Sequence, residues 1–212
     1  MAVCLIKHGA RLETGSPLER RLFKLAVKTN HMELLRIVVD NGLQLRPRAS
    51  YNVLGNLLPR CSVDAANFLI DRCPELLDEA SELGLSAYVQ VPLTVTIRHC
   101  SLEMIDMLLC RGASSHERDT TGIDPLDAAL QDNDAALHCI FGDTVTPSLD
   151  NVRTAFSVPM RRETAERFLK AAVDENPDVP EYAGESAAQC GNVRMVKTML
   201  DLGYKPRFLG PN

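Results

Sequence analysis

The chain has 212 residues, of which 45% are hydrophobic and 24% charged, a composition typical of a globular protein and not of a disordered or membrane protein. Its net charge of −5 is uneven: residues 1–60 hold ten Lys and Arg against four Asp and Glu, a balance of +6, so the remainder carries −11. The acidic body argues against nucleic-acid binding. The basic N-terminal third could steer an acidic partner, or it could form only solvated helix faces.

Cysteine usage and hydropathy favour an intracellular, cytoplasmic protein. Seven cysteines is an odd number without paired spacing, which predicts reduced thiols and no disulfide framework. The apolar run at residues 2–6 is too short for a signal-peptide core of about 7–15 residues. No stretch of the sequence approaches the ~18 apolar residues of a membrane helix.

Seven residues that each follow an apolar helical stretch, most of them glycine, recur along the chain at nearly equal intervals. The gaps between them are 33, 31, 39, 30, 30 and 31 residues, and the positions are Gly9, Gly42, Cys73, Gly112, Gly142, Ala172 and Gly203. A period in the low thirties indicates one supersecondary unit that is built repeatedly and buries its apolar face against the next unit. Such an array presents surfaces more readily than closed pockets.

The pattern predicts one array over residues 1–212, made of units at roughly 1–12, 17–42, 51–73, 91–112, 122–142, 150–172 and 182–204. The first unit contains only the end of a second helix, and residues 204–212 resemble the start of another hairpin. Because solenoids normally end in polar caps, we expect a fragment of a longer array or an incompletely predicted gene product.

Unit 17–42 shows the helix-pair pattern most clearly. Residues 22–30 predict a short helix packed on two sides, and Asn30 ends it with the left-handed backbone of a tight turn. Residues 31–42 resume helical spacing until Gly42, where glycine favours the same geometry. Two short helices joined by a turn of two to three residues form an antiparallel pair.

The segment after Gly112 carries the most specific motif. It runs from Gly112-Ala113 through Asp119 and Gly122 to residues 124–129, Asp-Pro-Leu-Asp-Ala-Ala. Asp124 is a good N-cap, and Pro125 a good first helical residue.

At these residues the sequence resembles the ankyrin repeat family, which has Gly-Ala, an Asp-x-x-Gly turn and Thr-Pro-Leu-His-x-Ala-Ala at this spacing. No unit keeps Thr-Pro-Leu-His intact, and units 51–73 and 150–172 match mainly by register. The resemblance implies an all-α, ankyrin-like solenoid with degenerate repeats. A different α-solenoid of helix pairs remains an alternative.

The resemblance also implies where a partner protein would bind. In ankyrin-like proteins, hairpin tips and the exposed ends of first helices line a concave groove. The matching positions in this chain are Lys28, Thr29, Pro59, Arg60, Arg98, His99, Thr120, Thr121, Ile123, Gln131, Asp132, Gln189 and Cys190. The simpler alternative is that these residues are merely exposed to solvent.

The gap of 39 residues before Gly112 is the longest of the six, which indicates an insertion of about six residues within residues 76–90. Leu83, Leu85, Tyr88 and Val91 are apolar in a segment that the repeat pattern places in a surface loop. Long ordered loops are often functional, so this segment could anchor a partner or pack over the neighbouring unit.

Candidate catalytic and metal-ligating residues do not form a known pattern. The cysteines have no Cys-x-x-Cys pair, and His99-Cys100 and His138-Cys139 are adjacent, which suits neither a helix-face nor a finger site. The acidic residues Asp127, Asp132 and Asp134 lack the spacing of a calcium loop and are interpreted as a solvated helix end. The sequence predicts no cofactor and no metal.

The sequence therefore predicts a non-catalytic protein-binding module, a scaffold or adaptor without nucleic-acid or membrane partners. It would be a monomer or part of a longer chain. Two alternatives stay open. One is a regulatory or targeting segment of a larger multidomain protein, and the other is a small enzyme with a Cys/His site, which would need a reactive thiol beside a histidine.

Overall fold

A computed structural model of the chain describes residues 12–43, 45, 61–77, 81–82, 89–99, 101–132, 134–140 and 146–205. The chain divides into two compact units, Met1–Gly122 and Ile123–Asn212. The described residues form eleven α-helices, one 3₁₀ helix and one pair of two-residue strands, so the prediction of a helical protein is confirmed for them.

The elements of the first unit are α1 (Pro17–Lys28), α2 (Met32–Asp40), α3 (Val63–Arg72), a 3₁₀ helix (Pro74–Leu77), β1 (Ser81–Glu82), β2 (Val89–Gln90), α4 (Pro92–His99) and α5 (Leu102–Cys110). Those of the second unit are α6 (Pro125–Asp132), α7 (Asp134–Ile140), α8 (Leu149–Ser157), α9 (Arg162–Glu175), α10 (Val179–Cys190) and α11 (Val193–Asp201).

Helices α1 and α2 form the predicted pair. Side-chain caps mark where each helix begins, and residues with left-handed backbone follow the end of each helix. Ser16 caps α1 by accepting a hydrogen bond from the amide of Glu19 at 3.1 Å. Asn30 turns the chain with a φ of 52°, and His31 Nδ1 then caps α2 by accepting from the amide of Leu34 at 3.2 Å. Gly42 follows α2 with a φ of 100°, as its sequence position predicts. The two helices pack on each other through buried apolar side chains, which are Phe23, Ala26, Val27, Leu34, Leu35, Val38 and Val39.

Polar links join α3 to the helix pairs α1–α2 and α4–α5 of the first unit. Ser62, the N-cap of α3, donates a hydrogen bond to the side chain of Asn30 in the turn between α1 and α2. Arg72 pairs with Asp40 at 2.8 Å, and Arg111 pairs with Asp71 at 2.6 Å. Because these ion pairs are largely exposed, each contributes at most about 1 kcal/mol, so they help to fix register more than stability.

The inserted segment packs against the unit at both of its ends. Leu76 and Leu77 of the 3₁₀ helix are buried, and so is Val91, which precedes α4. Between them β1 and β2 pair antiparallel, with Ser81 opposite Gln90. Leu83, Leu85 and Tyr88 lie outside the described residues, so a partner-binding role for them stays a prediction.

In the second unit, the first helices of successive pairs pack side by side. Helix α8 packs against both α6 and α10, and the second helices α9 and α11 also pack on each other. Asn192, the N-cap of α11, donates hydrogen bonds to the carbonyls of Phe156 and Val158 at 3.1 and 3.2 Å. One side chain thus caps a helix and ties its hairpin to the end of α8.

A second link on the outside of this unit joins α9 to α11. Arg162 contacts Glu166 at 2.8 Å on its own helix and Asp201 at 2.8 Å on α11. The hydrogen bond with Glu166 and the negative charge of Asp201 raise the pKa of the Arg162 guanidinium. The group is exposed, so this link is a weak register contact.

A buried polar cluster at the N-terminus of α6 corrects the interpretation of Asp127 as a solvated helix end. Asp124 and Asp127 are each only 5% exposed. The side-chain Nδ2 of Asn151 on α8 donates to both oxygens of Asp124 at 3.1 and 3.0 Å and to Asp127 Oδ1 at 2.9 Å. Asp124 Oδ1 also accepts from the Asp127 amide at 2.8 Å, which confirms Asp124 as the N-cap. Asp127 was misinterpreted because its partner is 24 residues away along the chain.

The helix that contains Ala172 does not end at that residue, where the repeat period predicts a helix end. Helix α9 continues to Glu175, and Ala172 is fully buried within it. Alanine has no preference for the left-handed backbone, so the periodic position carries no stop signal here. The unit boundaries and the single array over residues 1–212 stay predictions.

The cluster at Asn151 predicts that a substitution which keeps the shape of this side chain will strongly lower the stability of the protein. Asn151→Asp replaces the side-chain donor that the two carboxylates share with a third carboxylate, in a buried site. We expect a loss of about 3 kcal/mol in the free energy of unfolding, measured by urea denaturation of the full chain.

Asn67→Asp is the matched control. Asn67 Oδ1 accepts from Arg111 Nε at 3.1 Å at the surface, so a carboxylate there keeps the bond, and stability should change by less than about 0.5 kcal/mol. Equal losses for the two variants would show that the buried cluster is not a determinant of stability.

Candidate partner-binding surface

The predicted site residues of the first unit lie at equivalent helix ends. Lys28 is the last residue of α1, and Thr29 follows it as the C-cap. Arg98 and His99 are the last two residues of α4. Lys28, Thr29 and His99 are exposed, while Arg98 is half-buried. The chain thus presents a positive charge at the same place in two helix pairs.

The turn at Asp119 positions Thr120 and Thr121, the predicted hairpin-tip residues of this unit. Asp119 is buried, and its Oδ1 accepts from the amide of Thr121 at 2.8 Å and from the Thr121 hydroxyl. The amide of Gly122 donates to the carbonyl of Asp119 at 2.9 Å, and Gly122 has a φ of 78°. This Asx turn leaves Thr120 and Thr121 exposed at its tip, which matches the predicted hairpin.

In the second unit, the corresponding residues are uncharged amides. Gln131 is exposed near the end of α6, and Gln189 is exposed near the end of α10. Ile123 is half-buried at the start of this unit. Asp132 ends α6, but its side chain is outside the description. Cys190 is exposed as the last residue of α10.

The structure adds one helix end that sequence reasoning missed. Helix α8 lies between α6 and α10, and its last residue, Ser157, is exposed. Ser157 is held by a hydrogen bond from its hydroxyl to the carbonyl of Thr154 at 2.7 Å. No local signal marks it, because this unit lacks the small-residue motif and an αL glycine before its second helix. The packing of α8 is what identifies the position.

Two predicted contact residues cannot be placed. Pro59 and Arg60 lie outside the described residues, as does the first helix expected before α3. Together the placed residues share one property, which is a solvent-accessible side chain where a first helix or a hairpin turn ends. Lys28 and Arg98 carry positive charge at helix ends of the first unit, whereas Gln131 and Gln189 near the corresponding helix ends of the second unit are uncharged.

The cysteines and acidic residues do not form a ligand cluster in the described part of the chain. Within it, no three His, Cys, Asp or Glu side chains converge as metal ligands. Cys110 and Cys190 are exposed thiols, and Cys61, Cys73 and Cys139 are half-buried thiols. The His138 side chain is outside the description, so the Cys/His enzyme stays a hypothesis. None of the helices in the described ranges has the length and apolar content that crossing a bilayer requires.

These features define the class of protein as helical, with short helix pairs that pack on their neighbours within each unit. No family model matches the chain. Among curated proteins it is similar to the NF-kappa-B inhibitor cactus of Drosophila yakuba and of Drosophila melanogaster, at 30% identity over 132 residues in both cases. The match covers 58% of this chain and 25% or 24% of the fly proteins, so the chain spans about a quarter of the length of these relatives.

The Asp119 turn generates a prediction about local order. Asp119→Ala removes the acceptor for the Thr121 amide and hydroxyl, which should cost about 1–2 kcal/mol. Hydrogen exchange of the Thr121 amide should then become roughly tenfold faster, measured by NMR or mass spectrometry. His116→Ala changes an exposed side chain three residues earlier and should leave that exchange unaltered. An unaltered rate in Asp119→Ala would contradict the role of the turn.

Proposed function

We propose that the chain is a non-catalytic protein-binding module, a scaffold or adaptor of the ankyrin-repeat type. Its stacked helix pairs would bind a partner protein through the ends of the first helices and the hairpin tips. The residues that we assign to this surface are Lys28, Thr29, Arg60, Arg98, His99, Thr120, Thr121, Ile123, Gln131, Asp132 and Gln189. Ser157 extends the same surface.

One observation carries this proposal. The bodies of α4 and α6 are buried while the last residues of both helices are accessible. Residues 91–97 are all buried, and exposure begins in the last two residues of α4. Likewise Leu126 through Leu130 are buried, and Gln131 is exposed. Residues that are held at the ends of buried helices are rigid and accessible, which reduces the ordering cost of binding.

The similarity to cactus supports a protein-interaction role for such a module. Cactus is by its name an inhibitor of another protein, NF-kappa-B. A module that acts in this way needs a recognition surface and no cofactor. The observation that favours this second candidate, a regulatory segment of a larger protein, is the similarity over 132 residues to a named inhibitor.

The test compares partner capture by two variants of the full chain that each carry four substitutions to alanine. The surface variant is Arg98→Ala, His99→Ala, Gln131→Ala and Gln189→Ala. The control variant is Asp106→Ala, Glu163→Ala, Lys170→Ala and Lys197→Ala, which alters exposed positions on the second helices α5, α9 and α11. Both variants should retain the melting temperature of the parent chain, because surface changes are nearly neutral.

Partner proteins captured by the parent chain are quantified by mass spectrometry. Loss of more than one interface contact of about 1 kcal/mol each should lower recovery by roughly tenfold or more in the surface variant. The control variant should recover the partners at the level of the parent chain. Equal recovery by both variants would refute binding through the helix ends.

A further inference from the structure

Helix α1 carries leucines on the side that faces away from its partner helix. Leu18 and Leu25 are 58% and 50% exposed, whereas Phe23, Ala26 and Val27 are buried toward α2. Residues seven apart lie on the same face of a helix, about 10 Å from each other. The sequence predicts packing on two sides of this helix, and the described structure provides only one of them.

Two cations accompany these leucines. Arg21 and Lys28 follow Leu18 and Leu25 by three residues each, so all four side chains lie on one side of α1, and both cations are exposed. The only acid of the helix, Glu19, is fully buried and accepts from the amide of Gly15 at 2.7 Å. We call the set of Leu18, Arg21, Leu25 and Lys28 the α1 outer face. It is apolar with a positive border, and it contains no acidic side chain.

We propose that the α1 outer face binds an acidic amphipathic helix, one with leucines or similar side chains at heptad spacing and Asp or Glu beside them. Apolar side chains that recur every seven residues match the ridge spacing of a partner helix. Acidic side chains of the partner would then lie opposite Arg21 and Lys28. This inference deepens the protein-binding function proposed above and rests on it.

Charge argues against the other occupants of this face. In a symmetric dimer, two copies would bring Arg21 and Lys28 against the same residues of the partner copy, and like charges would be desolvated together. An extended anionic surface, such as a membrane or a nucleic acid, would be opposed by the net charge of the chain, which is −5. An acidic peptide short enough to contact only α1 avoids that repulsion.

The test uses synthetic helical peptides of about two heptads, titrated against the full chain by fluorescence anisotropy. The first peptide has Leu at the heptad core positions and Glu at the flanking positions. The second has Lys in place of each Glu, and the third has Ser in place of each Leu. Only the first should bind, and its affinity should fall as salt is raised, because salt screens the pairing with Arg21 and Lys28.

Variants of the chain locate the binding. Leu18→Ser with Leu25→Ser should weaken the acidic peptide by roughly tenfold or more, since two apolar contacts are lost. Arg21→Glu with Lys28→Glu should abolish binding of the acidic peptide and create binding of the Lys peptide. The control is Val193→Ser with Leu200→Ser on α11, where two aliphatic side chains seven residues apart are also exposed, and it should bind like the parent.

Three results would overturn the inference: absence of binding by the acidic peptide, equal weakening by the α11 control, or stronger association of the chain with itself or with phosphatidylserine vesicles through the leucines. The charge swap keeps the inference testable even if the leucine variant loses stability. The surface variant that tests the proposed function leaves the α1 outer face intact. Failure of the peptide with retained partner capture would therefore reject only this inference.

Discussion

The burial of short helices against the helices of the neighbouring pair is the interaction on which the described structure depends. A helix of eight to twelve residues is marginal by itself, so it needs tertiary packing to persist. Helix α8 shows the constraint: Val152, Ala155 and Phe156 are fully buried, and α8 has α6 on one side and α10 on the other. Small residues at these contacts allow the close approach of neighbouring helices, as Ala128 and Ala129 do on α6.

Polar side chains fix how neighbouring pairs are aligned. Asn151 satisfies two buried carboxylates of α6, and Asn192 satisfies the carbonyls at the end of α8 while it caps α11. A buried polar group without a partner costs more than a hydrogen bond contributes, so these links penalise any shifted alignment of the pairs. Apolar packing thus provides the stability of each unit, and amide side chains determine its register.

Turns and helix starts that depend on a few neighbouring residues could be predicted from the sequence. Asn30 and Gly42 adopt the left-handed backbone that such turns require, and Asp124-Pro125 begins a helix. The parts that depend on distant partners were not predictable. The burial of Asp127 requires Asn151 from another helix, and the exposed end of α8 became apparent only from its position between α6 and α10. Alanine at position 172 fitted the period, but it has no conformational reason to end a helix.

We expect that helix pairs within a unit hold one another folded. Hydrogen exchange of the full chain with the substitution Val152→Ala in α8 provides the test. Amides of α6 and α10 should lose protection together with those of α8, by a similar free energy of about 1–2.5 kcal/mol. Loss of protection confined to α8, with α6 and α10 unchanged, would contradict it.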